Sequence, residues 1–162
     1  MTQKGYMLPV KILRILLITA LVIDVLALVT IWFWLPRMNA YAFGWEYFTS
    51  TPKSDAGTVR FMYSFFIWCG LACGWCLVEG NGLLCSVLKL EAFTHGNAKR
   101  LIRIAIAMCL IAVAFIAKMT VLPSLSTLMG LGIFFGLGLL FWVLSLLFRH
   151  AADIKSDYDL TI

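Results

Sequence analysis

Apolar residues run along this chain in four long stretches, separated by short segments that hold nearly all the polar side chains. The stretches are 12–34, 61–88, 101–122 and 128–148. Each reaches the roughly 17–25 mainly apolar residues that a transmembrane helix needs. None shows the strict alternation of a half-buried strand. The pattern predicts an all-α membrane protein of one domain, 1–162, with four transmembrane helices in an antiparallel bundle. Pro36 should end the first helix, because proline lacks a backbone N–H. Pro123 and Ser124 mark a tight turn, which makes the last two helices antiparallel neighbours. The loop 35–60 carries Tyr41, Phe43, Trp45, Tyr47 and Phe48, suited to an aromatic interfacial layer, and then turn chemistry over 50–57. Residues 149–162 are left as a short acidic tail.

Composition agrees with this reading. Of 162 residues, 62% are apolar and 13% charged, against about 45–50% and about 25% in soluble domains. That excludes a disordered chain, a secreted disulfide scaffold and an ordinary cytosolic enzyme. The net charge of +5 forms no broad basic face, so direct nucleic-acid binding is not expected. The basic residues instead set orientation. Nine of the thirteen Lys and Arg lie at the N-terminus, in the central loop or after the fourth stretch, against Arg37, Lys53, Arg60 and Lys118 on the other side. By the positive-inside rule both termini and the central loop face the cytoplasm. Ala40-Tyr41-Ala42 imitates a signal-peptide cleavage site, but the apolar run before it exceeds the roughly 7–15 residues of a signal core. The first stretch reads as an uncleaved span.

Three ionisable residues fall in or near the hydrocarbon: Asp24, Glu79 and Lys118. Such groups mark a functional site or a paired structural contact. At about 1.5 Å per residue, Asp24 lies about 18 Å, Glu79 about 14 Å and Lys118 about 25 Å from the cytoplasmic end of its span. Asp24 and Glu79 are thus near one level and could share a proton or a cation, since two carboxylates in a dry site cannot both stay ionised. That supports a small transporter or proton-coupled module as one functional alternative, and helix packing as the other. Lys118 should snorkel outward. Gly70 and Gly74, and again Gly132 and Gly136, show the G-x-x-x-G spacing that lets helices approach. Packing within the bundle explains both pairs, with a homodimer as the sharper alternative.

The second span also holds Cys69, Cys73 and Cys76 within roughly 60° of one helix face. Three thiolates could hold a soft metal, but neither His95 nor His150 lies in a span, so no metal and no cofactor is expected. Cys73-Gly74-Trp75-Cys76 with Glu79 after it looks faintly like the bacterial disulfide-bond oxidase family, which supports a membrane thiol oxidoreductase as a further alternative. A reactive thiolate needs access and an electropositive neighbourhood, and this pair sits inside an apolar helix. That family also needs a second cysteine pair in an extracytoplasmic loop, where this chain has none.

The central loop and the C-terminus carry a more specific signal. Ala92-Phe93-Thr94 followed by Asn97-Ala98-Lys99-Arg100-Leu101-Ile102-Arg103-Ile104 is a helix entry, with Thr94 or Asn97 available as its cap. The chain closes with Ala152-Asp153-Ile154-Lys155-Ser156-Asp157-Tyr158-Asp159-Leu160-Thr161-Ile162. Together these stretches resemble the YoaS-like bacterial inner-membrane protein family, a domain-of-unknown-function group (2975). The ending matches almost residue for residue, whereas the first two spans carry no specific motif. The resemblance implies a non-enzymatic, multi-pass protein of the bacterial cytoplasmic membrane. It also implies a partner, a small cytoplasmic helix-turn-helix regulator, because many family genes lie beside one. The surfaces available for that contact are Phe93, Asn97 and Arg100 in the loop and Asp153, Asp157, Asp159, Leu160 and Ile162 in the tail. The bland reading of the tail is a frayed helix end, and of the loop cations, topology anchors.

Overall fold

The computed structural model describes residues 4–42, 56–89, 91–121 and 123–159, without the side chains of 4–7, 34–42, 56, 58–59 and 158–159. Four helices account for nearly all of it: α1 (Lys4–Ala42), α2 (Ala56–Leu88), α3 (His95–Val121) and α4 (Leu125–Asp159). All four are long and apolar enough to cross a membrane. Among the described residues there is no strand. The aromatic loop side chains Tyr41, Phe43, Trp45, Tyr47 and Phe48 lie outside the described residues, as does most of the turn at 50–57.

Each helix outruns its apolar stretch. Pro36 does not end α1, which continues to Ala42. Proline removes a single backbone donor, and within a long membrane helix the rest of the ladder carries through. The acidic segment after residue 148 is helical to Asp159, because α4 runs unbroken over 35 residues. About 20 residues cross a bilayer core, so the last part of α4 projects beyond it.

Side-chain contacts give the helix directions. From α1 to α2 they join Arg14 to Asn81, Leu17 to Gly80, Asp24 to Gly74 and Leu28 to Gly70. One number rises as the other falls, so the two helices are antiparallel. From α2 to α3, Phe65 meets Phe115, Trp68 meets Leu110 and Cys76 meets Ile104. From α3 to α4, Phe115 meets Phe134, and Gly138 lies against Cys109. Adjacent helices therefore alternate in direction throughout, and the start of α1, the α2–α3 connection and the end of α4 share one end of the molecule.

The helices do not close into a four-sided bundle. Backbone packing joins α1 to α2, α2 to α3 and α3 to α4, and no other pair among the described residues. Short connections bring α2 to α3 and α3 to α4, whereas lipid tails solvate an outward apolar face as well as another helix would. The most apolar stretch of α1 accordingly buries none of its residues. Central α3 packs on both sides, and Ala105, Ala107, Ile111 and Ala112 are fully covered. Its alanines let α2 and α4 approach closely. Hydroxyls in the spans are satisfied locally: Thr19 and Thr30 in α1 and Ser64 in α2 donate to the carbonyl one turn back.

The two G-x-x-x-G pairs part company. Gly70 and Gly74 do pack within the chain, against Leu28 and Asp24. Gly132 and Gly136 have nothing near them, because α4 turns Gly130, Phe134 and Gly138 toward α3 and residues two positions away face outward. At Gly130 a Cβ would run into the Phe115 ring. That ring cannot yield, being held between Phe65 at 5.2 Å and Phe134 at 5.5 Å. Gly130→Ala should therefore destabilise the protein by about 1–3 kcal/mol. Gly136→Ala should stay within about 0.5 kcal/mol of wild type. Unfolding in detergent micelles followed by circular dichroism checks both, and equal losses would refute this packing.

Candidate functional site

Polar side chains converge at the end where the N-terminus, the α2–α3 connection and the end of α4 meet. The connection is a small knot built from its own sequence. Thr94 is the N-cap of α3, its Oγ1 accepting the backbone N–H of Asn97 at 3.3 Å. Asn97 is only 1% exposed. Its Nδ2 donates backward to the carbonyls of Glu91 at 3.0 Å and Ala92 at 2.8 Å. The Glu91 N–H in turn donates to the Ser86 carbonyl at the end of α2, at 3.0 Å. Of the two cap candidates, Thr94 caps and Asn97 locks the loop. Asn97 is therefore not a surface for a partner, since its amide is spent inside the knot.

Two contacts tie this knot to α4. The Phe93 and Phe148 rings lie 5.2 Å apart, and His95 Nε2 lies 3.5 Å from Asp153 Oδ1. Both His95 and Asp153 are more than half exposed, so this pair contributes at most about 1 kcal/mol. Phe93 remains half exposed. Past Asp153, Ile154 is 45% exposed and Asp157 is also on the surface. Asp159 ends the helix backbone; its side chain, with Leu160 and Ile162, lies outside the described residues.

A second cluster lies against the inner part of α2. Arg103 Nε donates to Glu79 Oε1 at 2.9 Å, with Glu79 14% and Arg103 47% exposed. Arg14 Nε donates to Asn81 Oδ1 at 3.2 Å. Arg100 lies across Gly82 and reaches the Ser86 Oγ at 3.5 Å.

The in-span charges sort differently from the depth argument. Glu79 turns to α3 and is neutralised there by Arg103, about two turns into the helix. Asp24 turns to α2 opposite Gly74, where a Cβ would sit 3.0 Å from its Oδ2. That oxygen is buried and has no hydrogen-bond partner. The two carboxyls are near one level but on different faces of α2, and no shared dyad forms. Lys118 does not snorkel freely: its Nζ sits over the Phe65 ring, 5.5 Å from the centroid. An aromatic face offers the ammonium a favourable site without a counter-ion. The residue that sequence reasoning missed is Arg103 as partner of Glu79, although the charges and helix levels that would have paired them were both legible.

All five cysteines are free, with Cys76 buried and its sulfur 3.9 Å from the Ile104 carbonyl. Among the described residues no three His, Cys, Asp or Glu side chains converge on one point as metal ligands, and Cys69, Cys73 and Cys76 share a helix face without converging.

These pairings make directional predictions. Arg103→Gln strands a carboxylate in the hydrocarbon and should cost about 2–3 kcal/mol. Glu79→Gln should cost less, because Arg103 can reach the headgroups. The double variant should recover part of the Arg103→Gln loss. Asn97→Ala, which leaves two carbonyls unpaired, should cost about 1–3 kcal/mol. Chemical unfolding of the detergent-solubilised variants measures all four, and additivity of the two charge variants would contradict the pair.

The family model described as "Protein of unknown function (DUF2975)" matches residues 46–162. No curated protein and no solved structure matches the chain. The matched residues take in α2, α3, α4, the knot and the end of α4, and leave α1 outside.

Proposed function

We propose that this chain, which belongs to the DUF2975 family, is a non-enzymatic protein of the bacterial cytoplasmic membrane. It holds a small cytoplasmic helix-turn-helix regulator at the membrane surface. The observation that carries the reading is the end of α4. The helix continues past the apolar stretch to Asp159, and its last eleven residues rise about 16 Å from the membrane. They present Asp153 and Asp157 together with the exposed apolar edge of Ile154. The base of this projection is fixed by the Phe93–Phe148 contact and the His95–Asp153 pair.

Charge supports the choice of partner. DNA-binding modules carry a basic face for phosphates, and an acidic helix complements that face. A regulator held there would have its DNA-contacting surface occupied, so the membrane protein would restrain it. The positive-inside bias supports the orientation, because the end bearing the knot and the helix projection also bears nine of the thirteen basic residues. Asn97 drops out of the contact surface, and Arg100 lies over Gly82 and Ser86. Phe93, Asp153, Ile154 and Asp157 remain among the described side chains.

The test is copurification of the tagged full chain from membranes, beside a version lacking residues 155–162 and an Ile154→Lys variant. Both changes spare Asp153 and the buried Ala152. A small DNA-binding protein should accompany the wild type, release its operator DNA on capture and be lost from both variants. Absence of such a protein, or equal recovery with the variants, overturns the reading.

A second reading rests on Asp24, whose Oδ2 is buried without a partner. A carboxylate costs about 2.5–3.5 kcal/mol in the middle of a membrane helix, and such a group suits proton exchange. With Glu79 engaged by Arg103, Asp24 would act alone. Proton flux in vesicles that is unchanged by Asp24→Asn would remove this alternative.

A further inference from the structure

We infer that the inner end of the α1–α2–α3 layer binds the phosphate of an anionic phospholipid, with Arg14 and Arg100 as its ligands. The two guanidiniums flank one turn of α2. Arg14 comes from α1 and donates its Nε to Asn81, while Arg100 comes from α3 and lies over Gly82 and Ser86. Asn81 and Gly82 are consecutive, so the two cations approach the same turn from its two sides. Among the described residues each meets only neutral groups there. A guanidinium carries five N–H donors, and each of these uses one on α2. The neighbouring carboxylate, Glu79, is already taken by Arg103. Two arginines with donors to spare and no carboxylate between them fit phosphate oxygens, which accept paired N–H bonds from a guanidinium.

Gly82 is a second, independent part of the arrangement. A Cβ at this position would lie 2.6 Å from Arg100 Nη1, so any larger residue would push the guanidinium off this turn. The level is also right for a lipid. Arg14 stands at the start of the first apolar stretch and Arg100 immediately before the third, within reach of the headgroups, and α1 beside them exposes Leu13 and Leu16 as a wall for acyl chains. A lipid, rather than a free phosphate, satisfies both surfaces at once. Basic pockets between membrane helices bind anionic headgroups by the same electrostatics.

The test uses the full chain in neutral detergent, titrated with phosphatidylglycerol and followed by native mass spectrometry and thermal melting. Phosphatidylcholine and glycerol 3-phosphate form separate arms. Phosphatidylglycerol should bind and raise the melting temperature, and the other two should not. Arg14→Gln and Arg100→Gln should each weaken binding about tenfold, the loss of one charge-assisted hydrogen bond. Gly82→Ala should weaken it as well while leaving the charge unchanged, and it carries the test if an arginine variant fails to fold. Lys99→Gln, at the same end but outside the turn, should bind as wild type does. Equal stabilisation by phosphatidylcholine, equal binding of glycerol 3-phosphate, or a Lys99→Gln loss as large as that of Arg100→Gln would each overturn the site.

Discussion

The ion pair between Arg103 and Glu79 is the contact on which the rest of this molecule depends. Hydrocarbon supplies no water to solvate a charge and no driving force to press one apolar helix on another. Glu79 can lie in α2 only because α3 brings a cation to 2.9 Å. That requirement fixes both the register and the facing sides of the two helices. Once α3 is set against α2, its alanines and Phe115 define the seat for α4, and Gly130 and Gly138 on α4 complete the fit. The opposite case is α1, which the family match does not include. Its Asp24 Oδ2 is buried without a hydrogen-bond partner, and among the described residues the helix packs on α2 alone.

Hydropathy along a chain reports depth in the membrane, but it does not report which way a side chain points. That explains what could be read from the sequence. The four apolar stretches, the turn at Pro123 and Ser124 and the cap at Thr94 were legible, because length, proline and capping chemistry act locally. Asp24 and Glu79 were placed near one level, yet they face different neighbours and never meet. The same limit applies to the glycines: identical spacing puts Gly70 and Gly74 inside the α1–α2 contact and leaves Gly132 and Gly136 outside every contact. Pro36 misled for another reason, since a single missing donor does not stop a helix that the membrane otherwise favours. Asn97 was visible as a polar residue at a helix start. Its burial, with both amide hydrogens turned back on the loop, depends on how α2 ends and could not be seen from spacing.

The physical division of labour follows from this. The apolar majority builds a layer of neighbouring helices whose outward faces meet lipid. Most of the charged minority gathers at one end, where Thr94 and Asn97 shape a rigid connection and α4 rises from it as a continuous helix. A helix that runs without a break from the bilayer into water transmits a tilt or shift of its membrane part to its tip. In the proposed role, this is what would let a regulator held at the tip respond to the state of the membrane.

In the proposed role the polar end faces the cytoplasm, and labelling with a membrane-impermeant thiol reagent tests that most directly. In a background where the five native cysteines are replaced, Ile154→Cys reports the tip of α4. Leu125→Cys, on the surface at the opposite end of the same helix, reports the other side. The account predicts that residue 154 is labelled only in inverted membrane vesicles and residue 125 only in intact cells. Labelling of residue 154 from outside intact cells would contradict it.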